Sequence, residues 1–512
     1  MNNMNSPTSK EKKKTTLLLA LIPIIVLISL LGINVGLYGG DATEGPNQLA
    51  LLIGAATAVI ISLLLNYTWE EALKGIVKSI KTSLSSILIL LIIGSLIGTW
   101  MLSGVVPTMI YYGLDLMNPN FFLVASCIVC TIISVATGSS WTTVSTVGVA
   151  LIGVAQGLEI PTPMAAGAII SGAYFGDKIS PLSDTTNLAS AVSGAELFTQ
   201  IRYMLYTTTP TYIITLTAFT ILGFTIETNN TENSVEVLMS TLKDTYYISP
   251  VLFVVPAIVV ILIIKKVDAV PALFIGTVAG ALVAIIAQPN IIQQASGIGN
   301  YAKTTGEYIL HSYKAVVNAM SSNVQIITNN TQINDLIETN GMAGMMNTIW
   351  LILCAMCFGG AMEVAGFLKK ITSYIISWAK STGSLIASTV ATSIFFNITA
   401  SDQYLAIVVP GRMFVKTYRK RGLKPENLSR SLEDSGTVTS ALVPWNTCAA
   451  FHTGMLGVAT GEYFIYAFFN WISPIMSMIF GYFNIKIKRF TKEEMAEMKK
   501  DRNSKKKISE TI

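Results

Sequence analysis

Long apolar runs alternate with short polar connectors along the whole chain. Thr16–Tyr38 is apolar over the length a helix needs to cross about 30 Å of hydrocarbon, and comparable runs begin at Gln48, Leu84, Phe121, Ile201, Ile248, Ala269, Trp350 and Gly383. The connectors sort by charge. One set holds Lys74, Lys78 and Lys81, then Arg202, Lys265 and Lys266, Lys369, Lys370 and Lys380, and finally Lys416, Arg419, Lys420, Arg421 and Lys424. The other set, Gly39–Asn47, Gln156–Pro163 and the acidic, Asn-rich Glu227–Asp244, is poor in Lys and Arg. The positive-inside rule puts the first set in the cytoplasm together with the Lys-rich segment 1–15 and the basic tail 486–512. The first run is too long for a signal peptide and is followed by no small-residue cleavage pattern, so it is expected to stay as a span. Gln288–Gly344 falls outside, and within it Tyr308–Met320 reads equally as a surface helix or a loop.

Two spans are interrupted. Phe121–Thr137 runs inward and breaks at Gly138-Ser-Ser-Trp-Thr-Thr143 before Val144–Val154 returns outward; Gly383–Ala400 enters from the cytoplasm, breaks at Thr399-Ala-Ser-Asp402 and returns to the basic cluster. Each hairpin is followed by a segment that combines acids with an Asn-Thr or Thr-Asn pair, Asp177–Asn187 in the first half and Glu433–Thr447 in the second. One hairpin opens outside and the other inside. The expected fold is therefore an all-α polytopic membrane protein of inverted-topology repeats with broken helices and re-entrant hairpins. Its membrane domain is 16–485, with a first repeat at about 84–224 and a second at about 346–485.

Composition agrees with a membrane setting. Of 512 residues, 52% are hydrophobic and 12% charged, where soluble domains carry about 25% charge; the mean hydropathy is +0.58. The net charge of +5 is modest, and the basic tail suits lipid headgroups better than nucleic acid. Cys127, Cys130, Cys354, Cys357 and Cys448 lie in apolar runs without a neighbouring His, apart from His452 downstream, and read as buried small hydrophobes. There is no HExxH, no phosphate-binding Gly-rich loop followed by Lys-Ser/Thr, and no nucleophile and base pair. No enzyme and no cofactor are expected, so energy for transport must come from a gradient.

The chemistry concentrates in Ser171–Asn187, where Asp177, Lys178 and Asp184 sit among small and apolar residues. Charges at membrane depth are costly unless they pair, hydrate or bind a cation. Backbone groups freed at a helix break are tolerated there only if they line a cavity or meet a ligand. Freed carbonyls with Ser, Thr and Asn oxygens suit a small hard cation such as sodium, and freed N–H groups suit a carboxylate. Asp177, Asp184, Asp402, Glu433 and Asp434 are the candidate proton carriers. Lys178 reads either as a structural ion-pair partner or as a competitor for the cation's carboxylate. Glu363 is expected as a further intramembrane acid, ranked below these. Pro181, Pro410 and Pro444 interrupt helical hydrogen bonding beside the motifs. His452 reads as structural rather than as a proton relay.

Taken in order, Gly176-Asp-Lys-Ile-Ser-Pro-Leu-Ser-Asp-Thr-Thr-Asn-Leu188, Ser401-Asp-Gln-Tyr-Leu405, Leu432-Glu-Asp-Ser-Gly-Thr-Val-Thr439 and Pro444-Trp-Asn-Thr-Cys448 resemble the NhaC-type sodium/proton antiporter family. That resemblance covers most of the membrane part. It implies a transport domain that moves like an elevator against a scaffold in a bacterial plasma membrane. Asp177, Asp184, Asp402 and Asp434 would bind the cation or proton, and Ser139, Thr186, Asn187, Ser401, Asn446 and Thr447 would supply neutral oxygens or hold the breaks in shape. The implied substrates are sodium or lithium and protons. The family also includes exchangers of malate for lactate, which is the alternative; Lys178 and Arg412 are the cations available to such an anion, and a helix amino terminus could substitute. A homodimer is compatible with the sequence and not specified by it.

Overall fold

The computed structural model describes residues 11–226, 231–328, 330, 333–334 and 337–495. The expected cytoplasmic segments lie partly outside these residues, at 1–10 and 496–512, as does 227–230 of the acidic loop. Among the described residues the backbone is helical nearly throughout, with isolated bridges only at Val324–Thr339 and Leu423–Arg489. Helices satisfy their own backbone groups, which lipid cannot do for them. Seven described helices are long and apolar enough to cross a membrane, or nine if two bent pairs are each one span.

Leu17–Tyr38 turns Leu18, Ile25, Ile28 and Leu37 outward, as a lipid-facing edge helix does. Met346–Val364 is central by contrast, packed against Pro46–Leu64 and Trp69–Thr82. Its contact with Trp69–Thr82 is a small-residue crossing: a Cβ on Gly360 would lie 2.9 Å from the Gly75 carbonyl oxygen and 2.7 Å from the Ile76 Cα. Close backbone approach of this kind is how helices associate where lipid removes any hydrophobic drive between them. Ala269–Ala287 joins this group through Leu84–Leu102.

A second group holds both interrupted spans. Pro119–Thr137 packs along Thr162–Ile179, Leu197–Thr225 lies against Pro119–Thr137, and Thr382–Thr399 packs on Gln403–Lys420 and Phe468–Tyr482. The two hairpins open toward chemically different ends. Asn118, Pro119 and Leu158, at the mouth of the first, share a groove with Glu236 and Ser240. At the mouth of the second, Arg421 donates to the Ala379 and Ser381 carbonyls and Arg489 donates to the Thr382 hydroxyl at 3.2 Å.

Two expectations change here. Thr305–Ser321 is a helix, started by a Thr304 and Glu307 capping box. It is packed as well as formed: His311, Ser312, Ala315 and Ala319 are buried, and the Ser95 hydroxyl of Leu84–Leu102 donates to the Met320 carbonyl at 3.1 Å. Glu363 is not a buried intramembrane acid. It lies in the last turn of Met346–Val364, more than half exposed, and meets Lys78 at 3.3 Å. The apolar run before it hides this, because hydropathy does not show which residue of a span reaches the end.

Candidate cation site

The first break is built by Gly138 and Ser139. Gly138 ends Pro119–Thr137 at φ +68°, and a Cβ there would come within 2.6 Å of the Leu182 backbone. Left-handed backbone and this contact together call for glycine. The Ser139 hydroxyl then accepts the Thr142 N–H at 3.2 Å, capping a helix that starts as Ser140–Thr143 and continues through a π turn, Val144–Gly148, into Val149–Gly157. The Ser140 N–H has no partner inside its own helix, as at any helix start. It donates to Asp177 Oδ2 at 3.1 Å, and the Ser140 hydroxyl donates to the same oxygen at 2.7 Å. The freed amide predicted to suit a carboxylate thus finds one, in the last turn of Thr162–Ile179.

The next break, Ser180–Ser183, is braced by the motif's own side chains. The Thr186 hydroxyl donates to the Lys178 carbonyl at 2.9 Å, and the Asn187 amide donates to the Pro181 and Ser183 carbonyls at 3.0 and 2.7 Å. Asp184 opens the following helix, Asp184–Ser193, and is exposed.

The second half repeats the device. Ser401 has φ +58°, and Asp402 caps Gln403–Lys420 by accepting the Leu405 N–H at 2.9 Å. The Ser401 carbonyl accepts the Thr447 N–H at 3.0 Å. Asn446 donates to the Asn397 carbonyl and amide oxygens, both at 3.1 Å, and accepts the Cys448 N–H at 3.0 Å. The tip of the second hairpin and the start of Thr447–Leu456 are thereby fixed to one another.

Both breaks border a cavity of about 120 Å³. Asp177, Asp184, Ser139 and Thr447 line it, joined by Gln403 and Tyr404 from the second hairpin and by Thr82, Ser85 and Ser86 from the neighbouring group of helices. No Lys or Arg among the described residues lines it. Thr82 and Ala269, also on its wall, follow Lys81 and Lys265–Lys266 closely in sequence, which places the cavity toward the basic end. A second cavity of about 280 Å³ lies further along Leu84–Leu102, at Gly94, Ile97 and Met101, and includes Glu338. Trp141, on the wall of the first cavity, stacks on Phe451 at 4.2 Å between centroids and 12° between planes. A larger cavity of about 670 Å³ touches neither break.

The other sequence-predicted residues are placed elsewhere. Asp434 is fully buried in an ion pair with Lys178, and it accepts the Thr207 hydroxyl at 3.1 Å and the Ser473 hydroxyl at 3.4 Å. Asp402 is buried at its cap and does not line the cavity. Thr186, Asn187, Ser401 and Asn446 hold the breaks without lining the cavity either. Glu433 is buried with both oxygens unpartnered, on the π turn Glu433–Thr437. Among the described residues no three His, Cys, Asp or Glu side chains converge on a metal site, so a cation in this cavity would depend on neutral oxygens as well as carboxylates. Sequence reasoning missed Ser85, Ser86, Gln403 and Tyr404 as lining residues. The last two had a usable signal, since they directly follow a break; two serines in an unbroken helix had none.

The profile of the Na+/H+ antiporter family matches residues 172–485. The chain is 36% identical over 438 residues to the malate-2H+/Na+-lactate antiporter of Bacillus subtilis, covering 85% of this chain and 89% of that one. It is 33% identical over 479 residues to the Na+/H+ antiporter NhaC of Alkalihalophilus pseudofirmus, covering 93% and 97%. It is 34% identical over 490 residues to the arginine/ornithine antiporter ArcD of Halobacterium salinarum, covering 94% and 95%. The chain belongs to the Na+/H+ antiporter family. For a member of this family, the matched region takes in Asp177, Asp184 and the whole second hairpin, while Ser139 and Ser140 lie before it.

Proposed function

We propose that this Na+/H+ antiporter family member is a secondary active transporter that exchanges cytoplasmic sodium or lithium for external protons by alternating access. The observation that carries the reading is the cavity at the two breaks. It presents two carboxylates, Asp177 and Asp184, with hydroxyl and amide oxygens and no cationic side chain. Sodium and protons compete for such carboxylates, so that loading one expels the other, and exposure to each side in turn converts competition into exchange. Ser140 holds Asp177 in place for both partners through Oδ2.

The two hairpins act as the cores of inverted repeats at about 84–224 and about 346–485, with both termini on the cytoplasmic side of a bacterial plasma membrane. Sodium, protons and lipid are the partners on this reading, and no enzymatic step or cofactor enters it. A malate- or lactate-type anion would need a cation or a free helix amino terminus to face it, and the Ser140 N–H at the cavity is already taken by Asp177. Lys178 is turned away into its pair with Asp434, and Arg412 is exposed and outside the cavity. The test is the full chain in proteoliposomes holding a pH gradient. Sodium added alone should dissipate the gradient; a response that requires malate or lactate would transfer the protein to the organic-anion exchangers.

A further inference from the structure

Asp177 and Asp184 both come from the first half of the chain. The second half sends only neutral groups into the cavity: Gln403, Tyr404 and Thr447. Two of these are already engaged: Gln403 Oε1 accepts the Ser440 hydroxyl at 3.5 Å, and the Thr447 hydroxyl donates to Asn446 Oδ1 at 3.5 Å. Tyr404 is different. It sits in the first turn of Gln403–Lys420, 39% exposed, and its hydroxyl has no hydrogen bond among the described residues. It lines the same cavity as Asp177 and Asp184, so one phenol from the second hairpin shares a wall with the two acids of the first half.

We infer that the Tyr404 hydroxyl is a ligand for the transported cation and sets the preference between sodium and lithium. The inference rests on the sodium/proton reading of the same cavity. A phenol is both donor and acceptor. The hydroxyl is unengaged among the described residues, and with sodium bound it turns its lone pairs to the ion and adds to a shell that two carboxylates cannot close alone. A phenylalanine would fill the same space without either function. Because the hydroxyl is carried at the end of a rigid ring, a smaller ion such as lithium would meet it at a different distance.

The experiment compares wild type and Tyr404→Phe, as full chains in proteoliposomes, for the sodium and lithium concentrations that half-dissipate a pH gradient. The half-saturating sodium concentration should rise about tenfold, the value of one lost ligand of this kind, with the lithium-to-sodium preference altered. Wild type that answers sodium, with a Tyr404→Phe variant unchanged in both half-saturation and ion preference, overturns the role of Tyr404 alone. Wild type that does not answer sodium overturns the cation reading and this inference with it. If the variant transports too slowly to measure, sodium-dependent thermal stabilisation of the purified protein decides: a shifted sodium midpoint supports the ligand role, and an unshifted one overturns it.

Discussion

Lys178 and Asp434 provide the sharpest division between structure and transport, because a double substitution predicts opposite outcomes for the two roles. Both side chains are fully buried. Lys178 also donates to the Ser473 hydroxyl at 3.1 Å, and Asp434 accepts from Thr207 at 3.1 Å and from Ser473 at 3.4 Å. Lys178→Met leaves a buried carboxylate with hydroxyls but no opposite charge, and Asp434→Asn leaves a buried ammonium in the same position. Breaking a buried pair from one side costs about 3–5 kcal/mol, whereas replacing both charges is often close to neutral. With the Thr207 and Ser473 hydroxyls still available to the new amide, the double variant should lie within about 1–2 kcal/mol of wild type. The assay is thermal unfolding of the purified protein in detergent, followed by recovery of the monodisperse species. Each single variant should melt well below wild type, and the double variant should recover most of the loss. The reasoning is refuted if Lys178→Met is as stable as wild type yet inactive, since Lys178 would then act in transport and Asp434 would return to the cation carriers.

Substitutions at three further positions probe the breaks. Ser140→Ala removes the 2.7 Å hydroxyl contact to Asp177 but keeps the 3.1 Å amide; loss of one hydrogen bond to a charged group, about 1.5–3 kcal/mol, should lower sodium affinity by roughly ten- to a hundredfold without unfolding, measured as half-saturation in vesicles. Gly138→Ala places a Cβ against the Leu182 backbone at a left-handed position, and the yield of folded protein on size exclusion should fall sharply. Asp402→Asn retains a capping oxygen and should keep exchange, whereas Asp402→Ala should cost about 1 kcal/mol of stability; loss of exchange in the Asn variant would make Asp402 a carrier rather than a cap.

The spans and their interruptions were legible because hydropathy and small polar residues record them directly. Leu17–Tyr38, Pro119–Thr137 and Thr382–Thr399 fall close to the runs that announce them. Which way a side chain faces was harder. Asp177 and Lys178 are neighbours in sequence, yet one turns into the cavity and the other into the packed interior, because consecutive helical residues point about 100° apart. Asp434 shares the segment Glu433–Thr447 with the cavity residue Thr447, but it lies on a π turn, and sequence spacing alone does not reveal such a turn. The bond from Asn446 to Asn397, which ties the second hairpin to the start of Thr447–Leu456, links positions 49 residues apart, beyond any local pattern. Serines 85 and 86 were invisible for a simpler reason: their role comes from the helix lying across the cavity, not from any feature of their own segment.

The central claim is that sodium and protons compete for Asp177 in the cavity at the two breaks. Proteoliposomes with an outward proton gradient and external radioactive sodium, containing wild type or Asp177→Asn, address it directly. The account predicts gradient-driven sodium accumulation by wild type that collapses when the gradient is removed, and none by a folded Asp177→Asn protein. Accumulation by Asp177→Asn at the wild-type rate would contradict it.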